Sequence, residues 1–206
     1  METTQHQIMT RIRRQFGGGG AVVTPKDFLD LAGRDAVDQA LNRLVRAGRL
    51  VRVARGLYHQ PRTNRSLGIT IPPDPDQVAD ALGRQTGSRV APSPAMVANQ
   101  LGLSTQIPAK PVYLTTGRSR TVQVAGRTFR LKQTPPHKMS DVGTLVGQVL
   151  LALEALGPDP DRARLETLRG ALSQRDRARL IEQARYRSAR VASLARQIAA
   201  DPDPAT

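Results

Sequence analysis

Cysteine and tryptophan are absent from this 206-residue chain, and aromatic residues make up only 3% of it. The missing thiols exclude disulfides and thiolate-ligated zinc. With few aromatics, the cores must be built from Leu, Val, Ile and Ala, which suits small helical modules better than a large sandwich. A hydrophobic content of 39% is enough for packed cores rather than disorder. No apolar run approaches the roughly 20 residues that span a bilayer. Met1 to Thr10 also lacks the apolar stretch of a secretory signal, so a cytoplasmic protein without a membrane partner is expected. The three histidines, His6, His59 and His137, are scattered and suggest neither a metal-ligand spacing nor a Ser-His-Asp arrangement. No Asp or Glu stands two residues before a Lys, so the carboxylate–lysine pattern of metal-dependent nucleases is missing. The chain offers no catalytic residue, metal site or cofactor motif, and it reads as a binding protein rather than an enzyme.

Negative charge is also scarce: 17 Asp and Glu face 31 Lys and Arg, for a net charge of +14. Such an excess attracts polyanions by releasing their counterions, which makes nucleic acid the leading partner. The excess is uneven. Residues 1–66 hold 12 basic and 5 acidic side chains, residues 67–141 hold 9 and 4, and residues 142–206 hold 10 and 8. Binding to a polyanion should therefore centre on the N-terminal part, while the nearly balanced last part reads as helices that pack.

Apolar Ile8, Ile12 and Phe16 at i, i+4 and i+8 predict a first helix from Thr4 to Phe16, ended by Gly17 to Gly20. Those glycines lack the Gly-Lys-Ser/Thr of a phosphate loop and read as a connector. Thr24-Pro25-Lys26-Asp27 predicts a helix start, Gly33 its stop, and a second helix follows from Arg34 to Ala47 with Gly48 beyond it. Arg49 to Val53 and Leu57 to His59, around Ala54-Arg55-Gly56, predict a hairpin. Two short helices and a hairpin make a winged helix-turn-helix over residues 1–66. Pro61 to Ser66 reads as a polar linker into a second domain, residues 67–206. In that domain Asp76 to Arg84 and the segment from Pro94 to Gly102 read as helices. Pro111 to Thr115, Arg120 to Val124 and Thr128 to Gln133 read as strands, and helices follow from Val142 onward. Leu180, Ala184, Val191, Leu194 and Ile198 line one final helix, and Asp201 to Thr206 reads as a disordered tail. The fold class is α+β, mostly helical: a winged helix-turn-helix followed by a mixed α/β domain ending in a helical bundle.

Outside the apolar stripe of the proposed recognition helix stand Arg34, Gln39, Asn42, Arg43 and Arg46. Gln and Asn bond adenine edges, and Arg bonds guanine or phosphate. The hairpin adds Arg49, Arg52 and Arg55, and an Arg beside Gly at a hairpin tip suits a phosphate backbone or the minor groove. A second basic cluster, Arg118, Arg120, Arg127, Arg130 and Lys132, surrounds the later hairpin. It is compatible with DNA beside the wing, with a modified RNA, or with water alone.

Thr24-Pro25-Lys26-Asp27-Phe28, the run Gly33 to Val45 and Ala54-Arg55-Gly56-Leu57-Tyr58 together resemble the winged-helix region of AbiE-type antitoxins. The resemblance continues through Ser93 to Leu103 and through Ile107 to Thr115, and so covers most of the chain. It implies a repressor of its own operon that binds double-stranded promoter DNA, with inverted repeats expected. It further implies the antitoxin of a type IV toxin–antitoxin pair, opposing a nucleotidyltransferase-like toxin without an obligatory stable complex. The alternative is a plain winged-helix transcription factor whose second domain senses a ligand or dimerises.

Overall fold

The computed structural model describes residues 3–17, 19–64, 66–104, 110–139, 143–157 and 160–200. The architecture is α+β, and the chain forms two compact units: Met1–Val90 with Tyr113–Gln133, and Ala91–Val112 with Thr134–Thr206.

The first unit begins with α1 (Thr4–Gln15), capped by Thr3, and buries Ile8, Met9 and Ile12. Strand β1 (Val22–Val23), a 3-10 turn (Pro25–Phe28) and α2 (Arg34–Arg46) follow. The helix expected to start at Thr24 is only this single turn. The Asp27 carboxylate accepts from the Thr24 N–H at 2.8 Å, and Phe28 is fully buried. The segment from Thr24 to Gly33 is too short to gain from helix propagation, so anchoring decides its shape. Helix α2 inserts Val37, Ala40, Leu41 and Leu44 into the core with Ile8, Ile12, Val23, Phe28 and Leu50. It ends at Gly48, whose φ of +67° is open to glycine without strain.

Strands β2 (Val51–Ala54) and β3 (Leu57–His59) form the expected hairpin, and β1 pairs with the other side of β3 to give the order β1-β3-β2. The register of β2 slips between Arg52 and Ala54. Pro61 to Ser66, expected as a linker, instead contributes β4 (Arg62–Asn64), which pairs with β5 (Ile69–Ile71). The Asn64 side chain accepts from the Ser66 and Leu67 N–H groups and closes their turn.

Helix α3 (Pro75–Thr86) starts at Asp74, which accepts from the N–H groups of Asp76 and Gln77, and stops at Gly87 with φ +71°. Strands β6 (Val90–Pro92), β7 (Val112–Thr115), β8 (Arg120–Val124) and β9 (Arg127–Gln133) form a sheet of order β6-β7-β9-β8. β8 and β9 join through Ala125-Gly126, both with positive φ, as a two-residue turn of the primed kind requires.

In the second unit α4 (Pro94–Gln100), a 3-10 turn (Pro136–Met139) that includes His137, α5 (Leu145–Ala155), α6 (Arg162–Gly170), α7 (Gln174–Ala184) and α8 (Ala189–Ala199) form a helical bundle. Helix α5 is apolar almost all round and sits centrally, with Val146, Val149, Leu150, Leu151 and Leu153 buried. The expected final helix is two helices. Leu180 and Ala184 lie in α7 and Val191, Leu194 and Ile198 in α8, all buried, and Ser188 caps α8 by accepting from the Val191 N–H. Among the described residues no helix is long and apolar enough to cross a membrane. The expected tail, Asp201 to Thr206, and the Ile107 to Ala109 stretch lie outside the described residues.

Candidate nucleic-acid interface

At 100° per residue, the four buried side chains of α2 define one face, and Asp35, Gln39, Asn42 and Arg46 fall within a sector of about 60° on the opposite side. All four are exposed. The row carries two amides and one guanidinium, which are donors and acceptors suited to base edges. Arg43 lies to one flank. There Thr3, Thr4 and Gln5 at the start of α1, with Ala36, Gln39, Ala40 and Arg43, line an open groove of about 410 Å³. Arg34 lies to the other flank and is engaged: its Nε donates to Asp38 at 2.7 Å, one turn along the same helix. Asp38 holds the Arg34 guanidinium above its ordinary pKa. Its two Nη groups take no part in that bond and remain open to a ligand.

Arg49, in the turn before β2, and Arg52 and Arg55 in the hairpin are exposed. With Arg43 and Arg46 they make five arginines that have no acidic partner among the described residues. The hairpin that carries them is braced. The Gln85 Nε2 of α3 donates to the Arg55 carbonyl at 2.8 Å, and a Cβ on Gly56 would stand 2.8 Å from that same nitrogen. The register slip releases the Val53 carbonyl from the ladder, and the Ala125 N–H takes it at 3.1 Å.

A second brace holds the turn before α2. Arg84 Nε donates to Asp27 Oδ1 at 3.0 Å and its Nη2 to the Val22 carbonyl at 2.8 Å, while the guanidinium lies 4.9 Å from the centroid of the Phe16 ring. Arg11 is likewise structural: it donates to the Asp27 carbonyl at 3.0 Å and forms a two-pronged pair with Asp30, which keeps that carboxyl below its usual range. Sequence reasoning missed Arg84, Gln85 and Asp27 as positioning residues. Their partners lie up to 62 residues away, and the only local signal was Asp27 in a helix-start pattern.

The second basic cluster divides by strand alternation. Arg120 pairs across from Leu131 on the face that buries Phe129 and Leu131. Its Nη2 donates to the Leu82 carbonyl in the last turn of α3 at 3.0 Å. Arg130 and Lys132 stand on the opposite face and are exposed; Arg127, paired with Val124 at the end of the hairpin, shares the Arg120 face by alternation but is exposed there, as is Arg118 in the preceding loop. Tyr113 of β7 donates to Asp76 at 2.6 Å. Burial and that bond keep its hydroxyl far above the usual phenol range. The sheet and α3 are therefore joined by a buried phenol and by Arg120.

An α+β chain whose first unit presents a polar helix ridge and a braced basic hairpin is the class that fold and site define. Residues 7–179 match a family of unknown function, DUF6088, and the chain belongs to that family. Comparison with curated proteins found no match. Among solved structures the chain is similar to the RV2827C protein from Mycobacterium tuberculosis, at 16% identity over 97% of this chain and 77% of that one, with a TM-score of 0.45.

Proposed function

We propose that residues 4–59 form a winged helix-turn-helix and that the protein binds duplex DNA, with α2 in the major groove and the β2–β3 hairpin as the wing on the backbone. The observation that carries this reading is the outward row of α2, where Gln39, Asn42 and Arg46 are exposed and have no acidic partner among the described residues. The chain order of helix, strand, turn, helix and hairpin, with the sheet order β1-β3-β2, supports it. In this reading Gln39 and Asn42 contact base edges, Arg43, Arg46 and Arg49 contact phosphates beside them, and Arg52 and Arg55 reach the backbone or the minor groove. The protein is a cytoplasmic repressor of its own operon and not an enzyme. It also acts as the antitoxin to a nucleotidyltransferase-like toxin, a part of the reading that rests on the resemblance to AbiE-type antitoxins alone.

The test is a gel-shift titration against the DNA upstream of its own gene, with scrambled DNA of equal length as competitor. Selective shifting is expected, and Asn42→Ala should lose about 1–3 kcal/mol of discrimination. Arg55→Ala should weaken binding to both DNAs without lowering the melting temperature. Equal affinity of the wild type for both DNAs would overturn the operator reading. Co-expression with a nucleotidyltransferase-like protein encoded beside the gene tests the antitoxin role, with restored growth expected.

A further inference from the structure

From Ala81 to Ser140 the chain carries nine Lys and Arg and no Asp or Glu. Of those in the first unit, Arg118, Arg127, Arg130 and Lys132 are exposed and have no acidic partner among the described residues. A solvated face usually mixes both signs, so an uncompensated run is a field aimed at a polyanion. Its place in the fold is specific. The β8–β9 turn is bonded to the β2–β3 hairpin through Ala125 N–H and the Val53 carbonyl, at the residue where β2 bulges. Both hairpins belong to the same compact unit.

We infer that the β8–β9 hairpin is a second DNA-backbone element that continues the wing: Arg127 at its tip, then Arg130 and Lys132 along its outer face, bind phosphates beyond the reach of α2. This rests on the DNA-binding reading above. Lys132 lies five residues from Arg127, so the basic track runs about 17 Å along β9. That distance corresponds to about five base-pair steps at 3.4 Å each. Thr121, Gln123 and Thr128 lie on the same outer face by register, and supply hydroxyl and amide donors for phosphate oxygens without reading sequence. Arg120 is not part of the track, because its guanidinium is spent on the end of α3.

The test compares the full-length wild type with R127Q/R130Q/K132Q and with Q39A/N42A, measuring affinity for operator duplexes against salt. It is repeated on a duplex trimmed by six base pairs from either end. All three positions of the first variant are exposed, and an unchanged melting temperature verifies its fold. The expected result is a slope of log K against log salt that is shallower by about 0.9 per lost contact, about 2.7 in all. Preference for operator over scrambled DNA should be unchanged, and the gap between variant and wild type should shrink at one of the two trimmed ends. Wild-type slope and footprint in R127Q/R130Q/K132Q, alongside lost selectivity in Q39A/N42A, would overturn this inference and leave the DNA-binding reading standing. Loss of single-stranded RNA binding by the triple variant, with DNA binding intact, would also overturn it in favour of RNA. A wild type that binds no duplex at low salt would overturn both readings.

Discussion

Ala125 is the non-glycine residue among those described that adopts a positive φ, at +49°. A side chain there meets the following carbonyl, at roughly 1–2 kcal/mol, and Asn tolerates the conformation best. Ala125→Asn should therefore raise stability by up to about 1 kcal/mol, a gain of a few degrees in thermal melting; a lower melting temperature would mean that the turn is not strained. His59 presents the opposite case. It is 3% exposed in the central strand β3 and its Nε2 has no hydrogen-bond partner, so burial holds its pKa below the ordinary 6.5. The unfolded chain then binds the proton more readily than the folded one. Stability from this group is complete above pH 6.5 and is lost as the pH falls from 6.5 towards the depressed value. A melting series from pH 7.5 to 5.5 should fall for the wild type and flatten for His59→Phe; equal slopes would remove His59 as the cause.

Helix α3 is the element that fixes the reading surface without belonging to it. Its last turns hold the segment before α2 through Arg84 and the wing tip through Gln85. Arg84→Met leaves Asp27, only 6% exposed in its side chain, without its cation. The loss should be roughly 2 kcal/mol, below that of a fully buried pair because about a third of Arg84 remains in solvent. Urea unfolding measures it, and a change below about 0.5 kcal/mol would exclude the clamp. Gln85→Ala removes one hydrogen bond and should cost about 1 kcal/mol of stability. Its further effect on DNA affinity should vanish in an Arg55→Ala background, because it acts through the wing; additive effects in that double-mutant cycle would separate the two. In the second unit the same device is internal. Arg190 donates to the carbonyls of Glu154, Leu156 and Gly157 and closes the end of α5, while Arg187 pairs with Glu154.

For the whole molecule, the net charge of +14 predicts an association set by salt. If six phosphates are neutralised, affinity should fall about 10³-fold between 50 and 200 mM salt, and a flat response would exclude phosphate contacts. The sequence by itself determined the α+β class, the extent of α1, α2, α4 and the β8–β9 hairpin, and which residues of α2 face outward. Those features follow from local rules: 3.6-residue and two-residue periodicity, caps, and glycines where φ must be positive. Only the tertiary structure decided that Thr24 opens a single 3-10 turn, that Pro61 to Ser66 enters a hairpin, and that the last helix breaks at Ser188. It alone separated the arginines by use: Arg34, Arg11, Arg84 and Arg120 are bonded to partners, while Arg46, Arg52, Arg55, Arg127 and Arg130 stand exposed without an acidic one among the described residues. The physical reason is that a guanidinium's role depends on which carbonyls and carboxylates the fold brings within 3 Å, and those lie as far as 62 residues away along the chain.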